Sequence, residues 1–330
     1  MRKSYPIHLG LLLVISSGFL SMVQAVDGRY STIKTVDPKA TKATKALYAN
    51  LKKLAKTKLL FGHQDALAYG VTWEDWHKHR SDVEDVCGQH PAVVGWDLGK
   101  LGDSPHNLDT VDFEHMKAWI KKVYKMGGIN TISWHMDNFY GGSTWDVGNK
   151  VVAALLPGGE KHAAYLAKLD HFANFVRDLR VGFIFKKKIP IIFRPFHEHT
   201  GSWFWWGKGH CSPEEYKALW RFTVEYLRDE KGLHHILWAY SPDIFNDKAH
   251  YLECYPGDEY VDILGLDDYH DMGANGHPED LTKRLRMVVE LAQEKDKVAA
   301  LTETGLESIP QANWWTDTLL RSIQADPVAA

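Results

Sequence analysis

Seven short apolar runs, each closing on polar or acidic residues and each parted from the next by a helix-length segment, constrain the fold of this chain more than any other feature. They fall at residues 59–65, 93–97, 130–135, 189–198, 235–240, 261–268 and 298–303. The runs are apolar throughout rather than alternating, as parallel strands buried on both faces require. Between them, residues 109–126 carry apolar side chains at helical spacing and stop at Gly127-Gly128. Residues 213–231 open on Ser212 as N-cap, with Pro213 at the first helical position and Glu215 as capping-box partner, and end at Gly232. Residues 160–180 and 279–296 read the same way. Strand–helix alternation with no linker predicts an α/β chain, a (β/α)8 TIM barrel over residues 30–330. A doubly wound open sheet would want a glycine-rich phosphate loop after the first strand, and none is present. The count stops at seven. A helix-like run at residues 311–325 follows the seventh strand, so the expected barrel lacks strand 8 and helix 8 within this sequence.

The chain has 330 residues, of which 45% are hydrophobic and 25% charged, with a net charge of -3. That balance carries no electrostatic footprint for nucleic acid. The basic run Lys186-Lys187-Lys188 is short and reads as a solvated helix end. Residues 1–25 have the pattern of a secretory signal peptide: Arg2 and Lys3, then an apolar stretch, then Val23-Gln24-Ala25. The expectation is a secreted or periplasmic monomer with no membrane span after cleavage. Cys87, Cys211 and Cys254 show no metal spacing. An oxidising compartment permits one disulfide among them, and the pairing stays open.

Side chains at the C-terminal ends of barrel strands face the active site. Those ends supply His63, Gln64, Asp65, Asp97, Trp134, His135, Glu198, Asp267, Tyr269 and Glu303. Two glutamates among aromatic residues suit glycoside hydrolysis, where one carboxylic acid protonates the leaving oxygen and a second carboxylate attacks the anomeric carbon. The run Ser202-Trp203-Phe204-Trp205-Trp206-Gly207 beside Glu198 is too dense to be core alone, and aromatic faces stack on sugar rings. Strand alternation puts Ile192, Arg194, Phe196 and Glu198 on one face. Arg194 would then point into the barrel and need a partner, for which Glu303 is the obvious candidate. His197-Glu198-His199, with His63 and His135, invites a metal reading. Neighbouring strand residues point to opposite faces, however, and the spacing matches no zinc helix motif. No metal and no cofactor are expected. His197 and His135 are expected to donate hydrogen bonds to sugar hydroxyls or to the carboxylates.

These residues resemble glycoside hydrolase family 26. The resemblance is carried by Phe193-Arg194-Pro195-Phe196-His197-Glu198 with Gly201-Ser202-Trp203-Phe204-Trp205-Trp206. Phe61-Gly62-His63-Gln64-Asp65, Trp134-His135, Gly265-Leu266-Asp267 with Tyr269, and Thr302-Glu303 follow in the family's order. It implies a retaining endo-β-1,4-mannanase whose partner is a β-mannan polysaccharide. Glu198 would be the acid/base and Glu303 the nucleophile. His135, Arg194, His197, Trp203, Asp267 and Tyr269 would form the substrate site. Members resembling this family also cut mixed-linkage β-glucan or β-1,3-xylan, and a barrel that binds sugar without cutting it is a further reading.

Overall fold

All seven runs form parallel strands in the computed structural model, which describes residues 34–74, 80–148, 150–183 and 186–329. The signal peptide expected at residues 1–25 lies outside them. The strands are β1 (Gly62–Gln64), β2 (Val93–Asp97), β3 (Ile129–Ser133), β4 (Ile191–Arg194), β5 (Ile236–Tyr240), β6 (Ile263–Asp267) and β7 (Val298–Glu303). They lie side by side in sequence order. This is the winding of a barrel; a doubly wound sheet reverses direction part-way across. Every pairing is parallel, with Val93 opposite Ile129 and Ile191 opposite Ile236. Among the described residues the sheet has seven strands, so β1 pairs only with β2 and β7 only with β6.

The helices that cover this sheet include α1 (Lys42–Leu54), α2 (Phe113–Lys125), α3 (His162–Arg177), α4 (Pro213–Glu225) and α5 (Pro278–Glu294). The capping box expected at α4 forms: the Ser212 side chain accepts from the Glu215 N–H, and Glu215 accepts from the Ser212 N–H. The core lies between strands and helices. Trp96, Ile132, Phe193, Trp238 and Leu264 meet Ile120, Phe172, Trp220 and Val288, all nearly inaccessible to water. The rings of Phe172 and Phe193 sit 4.3 Å apart.

Three details differ from the sequence reading. The fourth run, expected to be strand through residue 198, leaves the sheet at Arg194. Helix 213–231 is α-helical only to Glu225 and continues as a π-helical turn, Tyr226–Glu230. Helix α1 was not anticipated, although Thr41 caps it and Thr44, Tyr48 and Leu51 mark its buried stripe. All three cysteines are free thiols, Cys87 exposed and the other two partly buried. Among the described residues no helix is long and apolar enough to cross a membrane.

Candidate active site

The site is built where β4 ends. Past Arg194 the backbone turns through two left-handed residues, Phe196 (φ 50°) and Glu198 (φ 54°). Neither is glycine, so the conformation is strained and must be held by its surroundings. The Glu198 N–H donates to the Ser241 carbonyl at 2.8 Å. Phe196 is driven into an aromatic cluster with Trp205, Trp206, Tyr216 and Trp220. The strand alternation expected through Glu198 therefore stops at Arg194. So does the inference that His197 and Glu198 face opposite ways: ligating-type atoms of His197, Glu198 and Glu303 lie within 4.8 Å of one another.

The tryptophan-rich loop divides its labour. Trp205 and Trp206 are buried, and their indole N–H groups donate to the Met136 and His197 carbonyls, each at 2.8 Å. They are core pillars. Trp203 is partly exposed and donates from Nε1 to Glu198 Oε2 at 2.6 Å. It lies so close over Gly201 that a Cβ there would come within 2.3 Å of the indole.

Glu303, at the end of β7, accepts from Arg194 Nη2 on one oxygen and from the Tyr269 hydroxyl, at 3.2 Å, on the other. Arg194 also donates from Nη1 to Ser241 Oγ at 3.0 Å and to Asp267 at 3.1 Å. The expected pairing of Arg194 with Glu303 is present. Arg194 is 3% exposed and Asp267 0%, so both side chains are buried. Expected as substrate-binding residues, they form a buried layer that reaches Glu303 through Arg194.

The two glutamates are driven apart electrostatically. Burial and the charge of Glu303 push the Glu198 carboxyl up to about 7, against the hydrogen bond from Trp203. Burial also opposes charge on Glu303, but the Arg194 guanidinium and its hydrogen bond outweigh it and pull this carboxyl down to about 2. Near neutral pH Glu198 thus still holds its proton about half the time, whereas Glu303 is a carboxylate.

A second network lies beside them. His135 Nδ1 meets Asp97 Oδ2 at 2.8 Å, and its Nε2 meets His197 Nε2 at 3.2 Å. Burial disfavours charge on both rings. Asp97 reverses this at His135, raising it to about 9, whereas the charge on His135 adds to the burial of His197 and lowers that ring to about 3. The two histidines thus bond to each other rather than to the glutamates. Trp145, half-exposed, stacks on His135 with ring centroids 5.6 Å apart.

Among the described residues, His197, Glu198 and Glu303 are the group close enough to hold an ion. All three are already engaged: Glu303 by Arg194 and Tyr269, Glu198 by Trp203, His197 by His135. A cation would have to displace these bonds. His63, His135 and His199, the other histidines considered, are not in the group.

Ser241 and Trp145 are absent from the sequence reading, and Asp97 appears there only as a strand end with no role. The strand-end rule that selects Glu303 also reaches Asp97, whereas Ser241 and Trp145 lie in loops with no periodic signal.

Comparison with known proteins gives a consistent result. Residues 36–317 match the family described as Glycosyl hydrolase family 26. A mannan endo-1,4-beta-mannosidase of Bifidobacterium adolescentis is 37% identical over 286 residues, which is 83% of this chain and 28% of that protein. The chain thus spans little more than a quarter of that relative's length. A mannan endo-1,4-beta-mannosidase of Bacillus subtilis is 29% identical over 82% of this chain and 74% of its own. Among solved structures, a family 26 beta-mannanase of Bacteroides ovatus superposes with a TM-score of 0.82 at 46% identity, covering 87% of this chain and 83% of that one.

Proposed function

The chain belongs to glycosyl hydrolase family 26, and from that premise we propose that residues 30–330 are the catalytic barrel of a secreted, retaining endo-β-1,4-mannanase. The observation that carries the reading is the pair of glutamates in opposed states. Glu198 holds a proton near neutral pH, Glu303 is ionised, and the approach of their side chains suits a retaining enzyme, whose carboxyl groups stand about 5–5.5 Å apart.

Glu303 attacks the anomeric carbon while Glu198 protonates the departing glycosidic oxygen. The product of this step is a glycosyl ester on Glu303 and a free sugar chain. The ester has no charge, so one cause of the raised Glu198 pKa disappears at the moment Glu198 must act as a base. Glu198 then takes a proton from water, the hydroxide oxygen attacks the anomeric carbon, and Glu303 leaves as a carboxylate. The Arg194–Asp267 layer holds Glu303 ionised and aimed. Trp203, Tyr269 and Trp145, each partly or half exposed, are the faces against which sugar rings stack. Mannan as substrate rests on the relatives' activity, and export on the signal-like residues 1–25.

Product analysis on mannan, glucomannan, galactomannan, mixed-linkage β-glucan and β-1,3-xylan, with NMR of the newly formed anomer, tests this. Mannan oligosaccharides released first as the β-anomer are expected. A preference for either other glycan replaces the substrate, α-product removes Glu303 as nucleophile, and binding without cleavage leaves a sugar-binding barrel.

A further inference from the structure

We propose that Asp97 is a positioning residue for this chemistry, acting through His135 and His197 to hold one positive charge and one imidazole tautomer beside the two glutamates. The proposal rests on the glycosidase reading above for its consequence and on separate geometry for its content. Asp97 ends β2 as Glu303 ends β7, but it is 3% exposed and touches no substrate space. Its Oδ1 accepts from the Gly99 N–H at 2.7 Å. Its Oδ2 faces the Ser133 hydroxyl at 2.9 Å, the His135 N–H at 3.2 Å and His135 Nδ1 at 2.8 Å. Donors surround both oxygens, which is the setting of a carboxylate and leaves no place for a carboxylic proton.

His135 Nδ1 must therefore carry a proton. Across the ring, the two Nε2 atoms of His135 and His197 face each other, and such a pair holds one proton between them. With Asp97 anionic, the favoured assignment is an imidazolium at His135 donating from both nitrogens. His197 then accepts at Nε2 and keeps its proton on Nδ1, an atom with no hydrogen-bond partner among the described residues. The reverse, a neutral His135 accepting from His197, would leave Asp97 buried without a cation. The titratable groups facing His135 are Asp97, Asp109, His197, Glu198 and Glu303, four of them carboxyls. The charge has a kinetic use. It favours the ionised form of Glu198, so it helps that residue give up its proton and limits the pH at which the acid form persists.

Asp97→Asn keeps the shape and an acceptor while removing the charge. In the resting wild-type protein, NMR of the His135 ring should show both nitrogens protonated at pH 7, with loss of a proton near 9. In Asp97→Asn that midpoint should fall by about two pH units or more, kcat should drop about tenfold or more, and the basic limb of kcat/KM should move to higher pH. A purely structural defect would lower kcat and leave the limb in place. Should Asp97→Asn fail to fold, His135→Gln, neutral and still able to hydrogen bond, should move the limb in the same direction. A singly protonated His135 at pH 7 in the wild type overturns the proposal, as does an unmoved basic limb in the folded variant. The ring measurement needs no substrate, so it stands even if no glycan tested is cleaved.

Discussion

Glu303 and Glu198 are the same side chain with different neighbours, a guanidinium and a phenol against an indole, and their tests differ accordingly. Glu303→Ala should abolish turnover on every substrate, since no covalent intermediate can form. Glu198→Ala should spare the first step on aryl glycosides, whose leaving groups need little acid; the reverse pattern would swap the roles. Arg194 lowers the Glu303 carboxyl, so Arg194→Met should raise it and carry the acid limb of kcat/KM upward, and an unchanged limb would refute the pairing. Trp203 likewise favours the charged form of Glu198. Trp203→Phe keeps an aromatic face but loses the Nε1 donor, so the basic limb, expected near 7 in the wild type, should rise while the melting temperature barely moves. Much of this site was legible from strand ends and from Arg194 needing an anion. What was not legible was the turn: two left-handed residues bring His197 and Glu198 to one place, and no side-chain periodicity encodes that.

The elements were easiest to read where local chemistry and burial agree. Ser212, Pro213 and Glu215 announce the start of α4 without reference to the fold, and the start is where they put it. Removing the cap with Ser212→Ala should cost about 1 kcal/mol, a fall of about 1–2 °C in melting temperature for a chain this size, with kcat and KM unchanged. A loss of activity at constant stability would mean that α4 also tunes the loop carrying Trp203. Strands β2 and β7 were legible to the residue because their apolar runs and their hydrogen bonding end together. At β4 they do not: the apolar and polar pattern continues to Glu198, but Pro195 and the left-handed Phe196 have already taken the chain off the sheet. Helix α1 escaped notice for a different reason. Its lysines dilute the stripe of Thr44, Tyr48 and Leu51, which is buried against distant strands rather than by any local signal.

For the whole molecule, the strand order was inferable from alternation alone, and the seven strands found among the described residues from counting apolar runs. Among the described residues β7 bonds on one side only, and most of its residues are partly exposed where β5 and β6 are buried. Hydrogen exchange should therefore be fast at alternate amides of β7 and slow at all of β5. Uniform protection along β7 would require a partner on its open edge. The same ordered sheet has a consequence in time. Each strand docks beside the one made just before it, so β1 to β7 can assemble as they leave the ribosome. The segment around α1 cannot. The Val36 N–H donates to Asp262 at 2.7 Å across 226 positions of sequence, and the Tyr48 hydroxyl donates to the Asp262 carbonyl at 3.0 Å. At roughly 5–20 residues per second of synthesis, these groups wait about 10–45 s for their partners. A 13-residue helix is marginal alone, so during that interval the earliest part of the nascent barrel is the part most exposed to proteases and chaperones.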